Sequence, residues 1–322
     1  MISDLHDEFI RILHVKIPKK SDLVNRISDI LSIEKESAYR RLNGKVNFSV
    51  REMGILAKTF NISIDHLLHK NTDQIWLPFS LFSPLEYKTM DSVVEMLDSR
   101  VTDLLSMTKQ STEAGCIYCS LPVEFYMHYP LLLKFMFFKW GYNYVGTGEY
   151  NNFSDWKIPQ KLDALSEKIN KVKFSKMFYV WDNSITWNLV NEIENFYRMH
   201  IITREEKEAL RFELKHHLTK LEEYLKGIFT PDNVFTKELE FYVSTINLGF
   251  TCTYFSSEKE CNIFFQTSFS HSVVDNCNNS CDKIKEWIKS LRNTSVLISG
   301  SGSLERRLFF EKQHNIIDAM LK

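Results

Sequence analysis

The sequence predicts an all-α N-terminal domain of about five short helices, followed by a helix-rich α+β domain with a small antiparallel sheet. Three observations lead there. The chain has 322 residues, enough for about two domains. It holds only 10 Gly and 7 Pro, well under average usage, which favours long unbroken helices over a turn-rich sandwich. Charge is divided unevenly: residues 1–70 carry 12 Lys+Arg against 9 Asp+Glu, a small basic module ahead of a mildly acidic remainder.

Composition removes several classes. With 40 Lys+Arg against 41 Asp+Glu and 44% hydrophobic residues, the chain is neither disordered nor collagen-like, and it is not a wholly basic nucleic-acid coat. No basic start followed by an apolar stretch reads as a signal peptide, and the strongest apolar run, residues 129–140, is broken by Lys134 and Lys139. A cytoplasmic protein with no membrane partner is expected. Six cysteines over this length are not a disulfide scaffold, so reduced thiols are expected.

The front module is punctuated as short helices. Leu5, Phe9, Ile12 and Leu13 form one buried stripe that Pro18 ends. A second helix can start after Ser21, with Leu23, Ile27, Ile30 and Leu31 inward. A third runs over residues 34–43 and is closed by Gly44, which suits the left-handed position beyond a helix end. Ser49 and Glu52 have capping-box spacing and open a fourth, which buries Met53, Leu56, Ala57 and Phe60. Ser63 caps a fifth that ends in Leu67 and Leu68.

Residues 27–44, ISDILSIEKESAYRRLNG, resemble the helix-turn-helix of the Cro/C1-type family, also called lambda-repressor-like or XRE. Ser28 takes the small position where two helices cross, Ser32 the turn, and Ile27, Leu31, Ile33 and Ala38 the apolar positions. Two residues depart from the pattern. Ser32 replaces the commoner glycine, and Arg41 stands where an apolar residue is frequent, so Leu42 is expected to point inward instead. The resemblance covers roughly residues 4–69.

The resemblance implies a DNA-binding domain at residues 1–70 whose third helix enters the major groove. With Ala38 and Leu42 inward, Lys35, Glu36, Tyr39 and Arg40 are left to meet base edges, and Arg40 is the best candidate reader of guanine. Lys20, Ser21, Arg41, Lys45 and Asn47 are candidates for phosphates, which set register and salt dependence without reading sequence. The expected partner is double-stranded DNA, bound by a homodimer.

Residues 71–88 read as an ordered linker in which Trp76, Phe79 and Phe82 pin the headpiece to a domain spanning residues 89–322. There, Met90, Val93, Val94, Leu97, Val101, Leu104 and Leu105 describe an amphipathic helix, and residues 116–123 read as a strand. Aromatic-rich helix follows through Trp140, then helices at 162–172, 185–202 and 203–228, the last opened by a Thr203/Glu206 capping box. Residues 239–246, 250–255 and 261–267 suggest a three-stranded antiparallel meander, with helix, strand and helix closing the chain at 283–291, 295–299 and 304–321.

Candidate sites in the back domain are weaker. Cys116 and Cys119, with Cys277 and Cys281, would suit four zinc thiolates, but core thiols fit better, because on a strand Cys116 and Cys119 face opposite ways. No metal or cofactor is expected. The turn Ser299, Gly300, Ser301, Gly302, Ser303, with Arg306 and Arg307 one turn on, is either a tight structural turn or an anion site. GTG at residues 146–148 is weaker still, and His216-His217 lacks a carboxylate motif. No protease, hydrolase, nucleotide-loop or kinase signature occurs, so a non-enzymatic regulator is expected, with a back domain that oligomerises or receives a small-molecule or protein signal. A DNA-localised enzyme and a protein-docking module are the alternatives. Domain order and a Lys/Asn/Ile-rich style also resemble large regulators of the Bacteroidetes.

Overall fold

The computed structural model describes residues 5–60, 62–69, 89–107, 112–145, 150–172, 174–227, 236–257, 261–266, 274–275 and 278–321. The chain divides into two compact units, Met1–Pro78 and Phe79–Lys322. The expected linker, with Trp76, Phe79 and Phe82, lies outside the described residues, as do GTG and Cys277.

The front unit is helical: α1 (Leu5–Lys16), α2 (Lys20–Leu31), α3 (Lys35–Leu42), α4 (Val50–Phe60) and α5 (Ile64–His69). Phe9, Leu13, Leu23, Ile27, Ala38, Leu42, Phe48 and Leu56 are buried as its core, so Leu42 does point inward in place of residue 41. Local chemistry ends these helices. At the end of α3, Gly44 takes φ +68°, its N–H donates to Arg41 O and the Lys45 N–H donates to Arg40 O, a Schellman motif that only a residue tolerant of left-handed backbone closes cheaply. At α4 the Ser49 hydroxyl accepts from the Glu52 N–H (3.3 Å) and the Glu52 carboxylate from the Ser49 N–H (2.8 Å), the reciprocal box expected from the spacing. α2 differs from expectation. It begins at Lys20 with Lys19 as N-cap and no side-chain cap, so Ser21 lies inside the first turn.

Among the described residues the back unit carries one seven-stranded sheet in the order β6-β5-β4-β1-β2-β3-β7. The strands are β1 (Glu113–Tyr118), β2 (Phe174–Trp181), β3 (Thr236–Val243), β4 (Thr251–Ser256), β5 (Cys261–Gln266), β6 (Val274–Asp275) and β7 (Val296–Leu297). The helices are α6 (Met90–Met107), α7 (Val123–Tyr126), α8 (Pro130–Tyr144), α9 (Lys161–Ile169), α10 (Trp187–Arg198), α11 (Arg204–Leu225), α12 (Asn278–Asn293) and α13 (Ser303–Met320).

The small antiparallel sheet is thereby corrected to a larger mixed one. β1, β2 and β3 run parallel, as the helical crossovers between them require, and the remaining pairs are antiparallel. The expected meander fails because β3 pairs with β2, leaving only the β4–β5 hairpin from that prediction. β2 was not expected at all, and the strand proposed over 116–123 stops at Tyr118 before α7. One face of the sheet packs Met177, Tyr179, Trp181 and Phe241 into a core shared with α8, α10, α11 and α13. α12 packs against β1, β2, β4 and β5, with Arg292 over the Phe178 ring at 4.9 Å. Among the described residues no helix is long and apolar enough to cross a membrane.

Candidate nucleic-acid interface

The turn between α2 and α3 sets the geometry of the site. Ser32 closes α2 in the left-handed region (φ 52°, ψ 46°), where a Cβ costs about 1 kcal/mol and glycine costs nothing. The Ser28 hydroxyl secures the turn by donating to Ile33 O at 2.6 Å, and the Ile33 N–H returns to Ser28 O at 3.1 Å. α3 then packs against α2 with Ala38 and Leu42 buried.

That packing leaves Lys35, Glu36, Tyr39 and Arg40 exposed on α3. Lys35, Glu36 and Arg40 hold no ion pair among the described residues, so their donors and acceptors are available to a ligand. Tyr39 is 42% exposed and is tied to the start of α2: Lys20 Nζ lies 4.9 Å from its ring centroid and donates to Asn43 Oδ1 at 2.7 Å. Asn43 in turn donates from Nδ2 to Tyr39 O at 2.9 Å. Lys20, Tyr39 and Asn43 therefore form one polar bridge between the N-terminus of α2 and the C-terminus of α3. Asn43 was not singled out from the sequence, since a polar residue before a glycine reads as helix-end chemistry. Ser21, Lys45 and Asn47 are exposed as well.

Arg41 is placed differently. Its guanidinium donates to Glu52 at 3.3 Å from Nε, stands 3.0 Å from it through NH2, and reaches Ser37 O at 3.3 Å. Both side chains are about four-fifths covered, at 20% and 18% exposure. Burial pushes the Glu52 carboxyl up, but the Ser49 N–H and the Arg41 guanidinium outweigh it and hold the group below the ordinary carboxylate range. The pair thus joins α3 to the cap of α4, and the guanidinium turns to a carboxylate of its own chain.

In the second polar cluster, Ser299 to Ser303 with Arg306 and Arg307, it is Arg306 that turns inward. Gly300 adopts φ +56° and donates its N–H to Leu225 O, and a Cβ on Gly302 would strike the Leu297 carbonyl. Arg306 is 5% exposed, and its NH1 donates to Ile298 O (2.9 Å), Gly300 O (3.1 Å) and Leu225 O (3.4 Å). The cation sits at the C-terminal end of α11, where helix carbonyls supply negative potential. Ser299 Oγ accepts from the Phe241 N–H at 3.1 Å, while Ser301 and Arg307 face solvent. Loop and Arg306 thus come together, with Arg306 held by carbonyls of its own chain as in a tight structural turn, while Ser301, Ser303 and Arg307 stay at the surface.

The thiols also depart from expectation. Cys261 at the start of β5 and Cys281 in α12 are joined as a disulfide with Cα atoms 6.2 Å apart. Cys116 is buried on β1, and Cys119, past the end of that strand, lies beside Thr251 Oγ1 at 3.4 Å.

Residues 11–116 match the family model described as BetR domain, a family of the helix-turn-helix, transcription-regulator type. The match begins within α1 and ends within β1, so it spans the whole α2–α3 site and reaches the first strand of the back unit. No curated protein and no solved structure matches the chain.

Proposed function

We propose that this chain is a sequence-specific, double-stranded-DNA-binding transcriptional regulator of the Cro/C1 type, acting as a homodimer, with a back domain that carries oligomerisation or signal reception. One observation carries the reading: α3 buries Ala38 and Leu42 and offers Lys35, Glu36, Tyr39 and Arg40 outward, inside a segment that matches a regulator family. A helix packed in this way inserts its outer side chains into a major groove while the helix before it crosses the backbone.

Arg40 is the base reader in this account, because an unengaged guanidinium pairs bidentately with guanine O6 and N7. Glu36 accepts from a cytosine amino group, and Lys35 supports either role. Lys20, Ser21, Lys45 and Asn47 take phosphates, with Lys20 exchanging its Asn43 contact for a phosphate oxygen. Arg41 is left out of the phosphate set, since Glu52 already occupies it.

Selection of bound duplexes from a random pool by the full-length protein tests the reading. Enrichment of a two-fold symmetric motif, with half-sites about one helical turn apart, is expected. A pool that gains no common motif overturns it.

A further inference from the structure

α13 is apolar on two sides. Phe309, Phe310 and Ile317 are buried inward, whereas Leu304 and Leu308 stand 52% and 53% exposed on the outer side. Leu308 lines a shallow groove that Trp187 of α10, itself half exposed, closes along one edge. One apolar stripe packs a helix onto its own domain; a second stripe facing outward is the mark of a second surface.

The charges beside that stripe say what covers it. At 3.6 residues per turn, Glu305 and Lys312 fall on one flank of Leu308, three residues before it and four after. Arg307 and Glu311 fall on the other flank, one residue before and three after. All four are exposed, and none forms an ion pair elsewhere among the described residues. Each flank therefore carries one acid and one base on opposite sides of Leu308, with the order of signs reversed between flanks.

We propose that this face binds a second copy of the chain, the two α13 helices pairing antiparallel about a two-fold axis beside Leu308. Antiparallel two-fold pairing sets the same flank of both helices side by side, and an axis between Leu308 and Phe309 opposes positions that are equally far from it to within about one residue. Glu305 then meets Lys312 of the second copy, and Arg307 meets Glu311 of the second copy. Each pair occurs twice, while Leu308 packs on its symmetry mate. The helix dipoles are opposed in this arrangement, whereas a parallel pair would align them. The inference rests on the dimeric reading above and supplies its interface, in a unit separate from the headpiece.

Light scattering and sedimentation on the full-length chain, with circular dichroism to verify folding, test it. Wild type should dimerise. Leu308→Glu, which buries two carboxylates at the axis, should raise the dimer dissociation constant at least roughly a hundredfold. Lys312→Glu and Glu305→Lys should each raise it about tenfold or more by opposing like charges twice. An equimolar mixture of these two variants should form a heterodimer close to wild-type strength, because every Glu305/Lys312 pair regains opposite signs. A mixture no tighter than either variant alone overturns the antiparallel register. Variants that all dimerise like a dimeric wild type place the interface elsewhere and overturn this inference, while the dimeric reading stands. A monomeric wild type overturns both.

Discussion

Replacing Arg41 by alanine separates a structural arginine from a DNA-contacting one. The side chain makes two contacts to the Glu52 carboxylate at 3.3 and 3.0 Å and one to Ser37 O at 3.3 Å. A charge-assisted hydrogen bond contributes about 1.5–3 kcal/mol when well aligned, and these are at the long end of the range in a site still one-fifth exposed. Arg41→Ala should therefore cost about 1–1.5 kcal/mol. Glu52→Ala should cost about 2 kcal/mol, because the same carboxylate also accepts from the Ser49 N–H at 2.8 Å and its loss opens the cap of α4. The double variant should fall short of the sum by about 1 kcal/mol, the coupling across the pair. For a headpiece of this size, 1 kcal/mol moves the melting midpoint by roughly 4–8 °C, so thermal and urea melts followed by circular dichroism resolve each step. Glu52 lies below its ordinary pKa in the fold, so its contribution is complete above the unfolded value of 4.5 and fades as pH falls below it. In salt titrations of DNA binding, Arg41→Ala should leave the slope unchanged, whereas Lys45→Ala should lower it by about one. An Arg41→Ala protein that melts like wild type and loses one unit of salt slope would refute the reasoning.

Other outcomes follow from the same structure. Ser32→Gly should stabilise the front unit by roughly 0.5 kcal/mol, since relief of the left-handed Cβ exceeds the added freedom of the unfolded chain; a lower midpoint in a urea melt would show that the turn is not strained there. Burial raises Glu113, but Lys289, Lys285 and Tyr254 outweigh it and hold the carboxyl at about 2, so its contribution is complete above 4.5 and is lost as pH falls from there toward 2. Glu113→Gln should flatten that limb of the acid-unfolding curve by about 2 kcal/mol, and a curve superimposable on wild type contradicts the ion-pair account. Reduction of Cys261–Cys281, which closes a separation of 20 residues, should destabilise the back unit by about 3 kcal/mol; thiol titration of unreduced protein that counts six free cysteines would refute the pairing.

The headpiece was legible in the sequence because its signals are local. Ser49 with Glu52, Gly44 after Leu42, and the spacing of Ala38 and Leu42 act within one or two helical turns, and each recurs in the fold as expected. Thr203 with Glu206 did the same for α11. The sheet was less legible, for a physical reason. β2, FSKMFYVW, is buried on both faces along its second half, so it shows no alternation, the pattern by which half-buried strands are recognised. Without β2 to pair with, β3 was grouped with its chain neighbours β4 and β5, although helical crossovers carry it to the far side of β1. The site shows the same division. The outward face of α3 follows from periodicity, but the Arg41–Glu52 pair joins two helices across a turn that spacing rules do not describe. Likewise, a Gly/Ser-rich turn beside arginines suggests an anion; that Arg306 instead reaches Leu225, 81 residues earlier, is a property of the packed chain.

The most direct test is a titration of full-length wild type, Arg40→Ala and Lys45→Ala against the selected duplex and a scrambled duplex of equal length, at several salt concentrations. Wild type should prefer the selected duplex by at least about a thousandfold at a given salt. Arg40→Ala should lose about 1–3 kcal/mol on the selected duplex and relax the preference at one base pair per half-site, while Lys45→Ala should weaken both duplexes alike. Equal binding of wild type to both duplexes, or an Arg40→Ala protein with unchanged affinity and preference, would contradict DNA reading by α3.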